Sequence, residues 1–95
     1  MLLGLVVSLA LAGAPVTGVV KDTSGGTVPG ASVVARPATG ADQQTVTGPD
    51  GTFSFTDAPT DATLIIRAGG FAEKRQPVSS GPMEIVLSPA TLFET

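Results

Sequence analysis

Short runs of alternating apolar and polar residues fill the chain after residue 15, separated by clusters of Gly, Pro and Asp. Successive side chains of a β-strand point to opposite faces, so this alternation predicts strands with one buried face. The runs predict strands at residues 16–21, 31–36, 43–47, 52–56, 63–68, 71–76 and 83–87. No helix is predicted among them.

The clearest strand follows a strong turn. Residues 48–51 read Gly-Pro-Asp-Gly, in which proline supplies a fixed φ and glycine a positive φ. Phe53 and Phe55 then alternate with Thr52, Ser54 and Thr56. The pattern predicts that both phenylalanines face the core.

The predicted strands differ in their burial. Residues 63–68 form an apolar run that predicts a buried strand. Residues 71–76 carry Glu73, Lys74 and Arg75, and such charges on an edge strand discourage edge-to-edge pairing. Seven strands without a helix predict an all-β, Greek-key β-sandwich.

The chain opens with an apolar run at residues 2–12, interrupted by Gly4 and Ser8. Its length is typical of a signal peptide and falls short of the roughly 20 residues that span a bilayer. Small residues permit cleavage after Ala12 or Ala14, although no basic residue precedes the run. A buried helix or an anchor is the alternative. We interpret 1–12 as a signal peptide, 13–88 as the sandwich and 89–95 as a tail, with no transmembrane span in the mature chain.

Composition excludes much chemistry. The chain has no His and no Cys, which removes imidazole bases, thiolate nucleophiles, thiolate zinc sites and disulfides. The net charge is −3, and Lys74 and Arg75 form the one adjacent basic pair, so nucleic-acid binding is not indicated. We predict a protein that is not an enzyme and needs no cofactor.

Five aspartates fall in predicted turns and loops. They suggest calcium ligands or a pair of catalytic carboxylates, but the EF-hand spacing is absent and the domain is too small for a substrate cleft. Aspartate beside Gly or Pro is commonly a turn former. We interpret all five as turn or loop residues and predict no metal site: Asp22, Asp42, Asp50, Asp57 and Asp61.

Three segments together resemble the carboxypeptidase regulatory-like domain, a transthyretin-like β-sandwich. Residues 16–25 read Val-x-Gly-x-Val-x-Asp-x-x-Gly, residues 28–33 read Val-Pro-Gly-Ala-x-Val, and residues 47–55 carry the hairpin. Gly48 stands where the family usually has Asp, and the family's tyrosine is missing near Pro59. The structural motif comprises Gly18, Pro29, Gly30, Asp50, Gly51, Phe53, Phe55, Gly70 and Phe71.

The resemblance implies a binding or spacer role. This family is distinct from the zinc peptidase domain that its name mentions. In bacteria, such domains often follow a signal peptide and precede the plug of TonB-dependent outer-membrane receptors, and residues 87–95 resemble the lead-in to such a plug. We therefore expect a non-catalytic spacer or docking module of the cell envelope, in the periplasm, at the outer membrane or secreted. Its partner would be another envelope protein or a downstream receptor domain, reached through a sheet edge.

Carbohydrate binding is the competing hypothesis, because related sandwiches include starch-binding-like folds. Sugar recognition normally uses exposed aromatic rings, and Phe71 and Phe93 are the candidates once Phe53 and Phe55 fill the core. The alternative for Phe71 is that it caps the core after the Gly-Gly bend. A glycan screen with Phe71→Ala as control separates the two functions.

Overall fold

The computed structural model describes residues 13–90, which fold into a β-sandwich of two sheets without a helix. The all-β class and the number of strands are confirmed. The predicted signal peptide at residues 1–12 and the end of the tail, with Phe93, lie outside the described residues. The strands are β1 (Ala14–Asp22), β2 (Ser32–Arg36), β3 (Gln43–Val46), β4 (Thr52–Ala58), β5 (Thr63–Arg67), β6 (Lys74–Pro77) and β7 (Met83–Leu87).

Strand β1 lies at the centre of a three-stranded sheet with the order β4-β1-β7. It pairs antiparallel with β4 and parallel with β7. The second sheet has the order β3-β2-β5-β6 and is antiparallel throughout. Strand β5 returns beside β2 after the chain has passed through β3 and β4, which is the predicted Greek-key connection.

The core lies between the two sheets and is made by alternate residues of their strands. Phe53 and Phe55 are 4% and 5% exposed, so both face inward as predicted. Their ring centroids are 6.3 Å apart with the planes at 67°, an edge-to-face arrangement. The inward residues of the other strands include Val16, Val20, Val33, Ala35, Leu64, Ile66, Met83, Ile85 and Leu87.

Several predicted strand boundaries differ from the observed ones, and two of them show why. Strand β4 continues past Asp57 to Ala58, because β1 begins at Ala14 and supplies a partner there, across a register shift. Strand β6 begins at Lys74 and not at Phe71. Phe71 instead forms an isolated bridge with Pro89. In both cases the pairing partner, which the local pattern does not report, sets the boundary.

Candidate functional site

Gly18 lies directly beneath an aromatic ring. It is the partner of Phe53 across the β1–β4 pair. A Cβ at Gly18 would lie 2.7 Å from the ring of Phe53 and 2.9 Å from the carbonyl oxygen of Met83. Only glycine leaves room for the ring, so this motif residue serves packing.

Thr47 fastens the Pro29-Gly30 turn to the end of β3. Its hydroxyl donates to the carbonyl of Val28 at 2.7 Å and accepts from the amide of Ala31 at 2.8 Å. The amide of Gly30 donates to the Thr47 carbonyl at 3.0 Å. Thr47 is 4% exposed, and this role was not deduced from the sequence, although the residue belongs to the family's hairpin segment.

The turn before β4 is held by Asp50 and Gly51. The Asp50 carboxylate accepts from the hydroxyl of Thr52 at 2.7 Å, and this bond lowers the pKa of Asp50. Gly51 has φ +78°, and a Cβ there would lie 2.9 Å from both the Thr27 Cβ and the Val20 carbonyl oxygen. Both residues are therefore committed to the turn.

Asp22 is likewise a turn former. Its carboxylate accepts from the Ser24 hydroxyl at 2.6 Å and from the amide of Gly26 at 3.0 Å. These bonds, the hydroxyl first, lower the pKa of Asp22. Asp42 instead pairs with Arg36 at 3.0 Å. Within residues 13–90, no group of acidic side chains is placed to hold a metal ion.

Gly70 and Phe71 close the sandwich on the side of β7. Phe71 is half-buried and packs against the core, as the core-capping interpretation predicts. The Gly70 carbonyl accepts from the amide of Ala90 at 2.9 Å, and the Ser88 carbonyl accepts from the amide of Ala72 at 2.9 Å. The segment after β7 is thus tied to the β5–β6 connection.

A shallow groove lies where β3 and β4 diverge into different sheets, and we call it the β3–β4 groove. Its volume is about 640 Å³. None of its lining residues is ionisable, and one of them, Val46, is 56% exposed. Residues that the sequence did not single out as a site line much of it: Thr17, Val19, Thr45, Val46, Thr52 and Ser54.

The groove runs beside the outer edges of β3 and β4, with which no other strand of residues 13–90 pairs. Alternate residues of a strand direct their N–H and C=O groups to the same side. The Gly51 carbonyl accepts from the amide of Val20 on β1. The main-chain groups of Phe53 and Phe55 therefore also point to β1, and those of Ser54 point to the free edge of β4. The main-chain groups of Thr47 bond to Gly30 and Ala31, which precede β2. By the same argument, the main-chain groups of Val46 point to the free edge of β3. The site therefore offers hydrogen-bonding groups for an extended chain.

The other edge strand of each sheet, β6 or β7, carries features that discourage pairing with a further strand. Strand β6 contains Lys74, Arg75 and Pro77, and proline cannot donate to a ladder. Strand β7 carries Glu84, whose carboxylate is 2.9 Å from the Lys21 amine. Within the described part of the chain, β4 is the longest edge strand, and Asp57 is its one ionisable residue.

A family model described as the carboxypeptidase regulatory-like domain matches residues 15–87. The chain belongs to this family. A search of the curated proteins found no significant match to the sequence.

Among solved structures, the chain is similar to the C-terminal fragment of the pilus adhesin SpaC from Lactobacillus rhamnosus GG. The TM-score is 0.57 at 10% identity, and the match covers 87% of this chain and 47% of that one, so this chain spans about half the length of that fragment. The likeness concerns the fold alone. Both comparisons are with non-catalytic types of domain. No helix within residues 13–90 is long and apolar enough to cross a membrane.

Proposed function

We propose that this chain is a non-catalytic accessory module of the bacterial cell envelope that docks to a protein partner through the β3–β4 groove. The observation that carries the proposal is the outer edge of β4 at Ser54, with which no strand of residues 13–90 pairs, beside a groove without ionisable side chains. An extended segment of a partner can add there as a strand, with main-chain hydrogen bonds supplying affinity. The partner would be another envelope protein or a downstream receptor domain.

The chemistry of the groove supports binding in preference to catalysis. Its side chains are apolar or carry hydroxyls, and Ser54 and Thr52 have no base among the lining residues to activate them. Gly18, Gly51 and Phe53 are committed to packing and turn geometry. We therefore place the function at the sheet edge and not in the motif residues.

The envelope setting rests on the apolar run at residues 2–12 and on the resemblance to the N-terminal extension of TonB-dependent receptors. The similarity in fold to a pilus adhesin domain is in keeping with it. If residues 1–12 are a signal peptide, exported protein begins at Gly13, or at Pro15 if the second site is used. N-terminal sequencing of envelope material tests this, and an intact N-terminus on exported chains would contradict it.

Carbohydrate binding has weaker support. Phe71 packs against the core, and its neighbour across the bridge is Pro89. A half-buried ring of this kind is not an open stacking platform. The described residues therefore favour protein docking over a sugar site.

Two exposed valines give a matched test of docking. Val46 lines the groove and is 56% exposed, whereas Val86 lies on β7 away from the groove and is 41% exposed. A photo-crosslinking amino acid is placed at each position in turn, in cells that express the full chain. We expect irradiation to give a crosslinked product from position 46 and little from position 86. Equal products, or a product from position 86 alone, would contradict docking at the groove.

A further inference from the structure

We propose that the partner at the β3–β4 groove is a second copy of this chain, paired through β4 about a two-fold axis at Ser54. This proposal rests on the docking function given above and names its partner. Two three-stranded sheets would join into one continuous sheet across the axis. A two-fold interface of this kind uses the same patch on both subunits, so the patch must be complementary to itself.

The sequence of β4 meets that requirement. Residues 52–56 read Thr-Phe-Ser-Phe-Thr, which is the same in both directions. Antiparallel pairing centred on Ser54 places Thr52 opposite Thr56 of the second copy and Phe53 opposite Phe55 of the second copy. Each residue therefore lies opposite a residue of its own type, so the pairing sets no unlike side chains against each other. The two phenylalanines stay on the inner face, so neither core is opened.

The hydrogen-bonding groups are available at the same place. The main-chain groups of Ser54 point to the free edge. The N–H of each Ser54 can therefore donate to the C=O of the other Ser54 across the axis, which gives two hydrogen bonds. At the two ends of the paired stretch the main chain is already bonded within one copy: the Thr52 carbonyl accepts from Gly48 at 2.9 Å and its amide donates to Asp50 at 3.2 Å, and the Asp57 carbonyl accepts from the Gln43 side chain at 2.9 Å. Ser54 therefore lies within the open part of the edge, and the Ser54 pair supplies the main-chain hydrogen bonds across the axis.

The charges also permit pairing. From residue 43 to residue 58, the ionisable side chains are Asp50 and Asp57, which lie at the two ends of the paired region. In the antiparallel pair, Asp57 of one copy approaches Asp50 of the other. Salt screens such repulsion between exposed charges, so association should strengthen as the ionic strength rises from 0.01 M to 0.15 M.

A single introduced thiol tests the register, because the chain contains no cysteine. Directly opposed residues of a hydrogen-bonded pair have Cα atoms about 5.5 Å apart, within the range that a disulfide bridges. Ser54→Cys should therefore give a disulfide-linked dimer on mild oxidation. Thr17→Cys is the matched control, since Thr17 is the neighbour of Ser54 within one copy but lies on the central strand. Equal crosslinking of both variants would contradict the proposed axis.

Sedimentation equilibrium tests the main-chain contact. Ser54→Pro removes the N–H that faces the free edge, whereas Ser54→Ala keeps it. We expect the purified unmodified chain and Ser54→Ala to reach twice the monomer mass as concentration rises, and Ser54→Pro to stay at the monomer mass with an unchanged circular dichroism spectrum. If Ser54→Pro fails to fold, the Ser54→Cys crosslink decides alone. A chain that stays monomeric at every concentration and gives no Ser54→Cys dimer overturns the proposal.

The photo-crosslinking experiment separates this proposal from the docking function. A product from position 46 with the mass of two chains supports the second copy. A product of any other mass leaves docking intact and contradicts the second copy. No product from position 46 contradicts both.

Discussion

At the scale of single residues, the family motif maintains the fold. Gly18 gives space to the Phe53 ring, and Gly51 allows the turn to press against the Val20 carbonyl. Thr47 supplies a buried hydroxyl that serves two main-chain groups. These residues act on neighbours that are distant in sequence, so each can be tested by a small change in volume or in one hydrogen bond.

Gly18→Ala should destabilise the protein. The added methyl group meets the Phe53 ring and also the Met83 carbonyl, and main chain cannot move aside as a flexible side chain can. Overpacking of this kind costs about 1–3 kcal/mol. Gly69→Ala is the control, because no atom lies within 4 Å of its Cβ position. Urea unfolding measures both, and an unchanged midpoint for Gly18→Ala would show that the packing is loose.

Thr47→Val should destabilise the protein although it conserves volume. The change leaves the Val28 carbonyl and the Ala31 amide without their partner in a buried place. An orphaned buried group costs about 1–3 kcal/mol. Thr47→Ser keeps the hydroxyl and should retain most of the stability. Equal unfolding midpoints for the two variants would exclude the hydrogen bonds as the cause.

At the scale of elements, β4 has two separate roles. Its inward side chains, Phe53 and Phe55, fill the core, whereas its free edge exposes the Ser54 main chain beside the groove. Strand β6 is its counterpart on the other sheet, and its charges and Pro77 discourage a partner. Changes to β4 can therefore affect stability or association separately, according to the side chain or main-chain group that is altered.

Phe53→Ala should be among the most damaging single changes. It removes a ring that is 4% exposed, packs on Phe55 and covers Gly18. Truncation of a buried phenylalanine costs on the order of 3–5 kcal/mol, a large part of the stability of a small domain. Val86→Ala, at a side chain that is 41% exposed, should cost far less. Thermal melts that are alike for the two variants would contradict the inward register of β4.

At the scale of the whole molecule, several charged side chains form ion pairs that connect neighbouring strands and loops. Glu73 accepts from Arg67 at 2.8 Å and from Arg75 at 2.7 Å, which links β5 to β6. Arg75, and then Arg67, lower the pKa of Glu73. The bond from Arg36 to Asp42 fastens the end of β2 to the loop before β3 and raises the pKa of Arg36. Because these pairs are exposed, we expect them to position loops more than to stabilise the core.

Stability should fall in acid and stay constant near neutrality. The pKa values of Glu73, Asp22 and Asp50 are lowered in the folded protein, so the unfolded chain binds protons first as pH falls. Their contribution is complete above the unfolded values near pH 4 and is lost as pH falls through the folded ones. With no His and no Cys, stability should be flat from about pH 5 to pH 8.

Urea midpoints from pH 8 to pH 2 test this expectation. Glu73→Gln removes one of the three carboxyl groups. The urea midpoint of this variant should therefore fall less steeply in acid than that of the unmodified chain. A midpoint that falls between pH 7 and pH 6, or an unchanged acid slope in Glu73→Gln, would contradict the assignment.

The sequence by itself determined the strands and their inward faces. Alternation of apolar and polar residues reports which face of a strand is buried, so the inward register of Phe53 and Phe55 was readable locally. The charges of Glu73, Lys74 and Arg75 predicted an edge strand there, and β6 is an edge strand. The motif residues predicted a carboxypeptidase regulatory-like domain, and the match of that family's model to residues 15–87 confirmed it.

Only the tertiary structure decided which strands pair and which main-chain groups stay free. Phe53 covers Gly18, Phe71 forms a bridge with Pro89, and Ser54 faces an open edge because of partners that lie far away in the sequence. The alternation of apolar and polar residues within one strand does not specify which other strand will pair with it. The groove arises where β3 and β4 part into different sheets, and the long-range pairing of each strand fixes that separation.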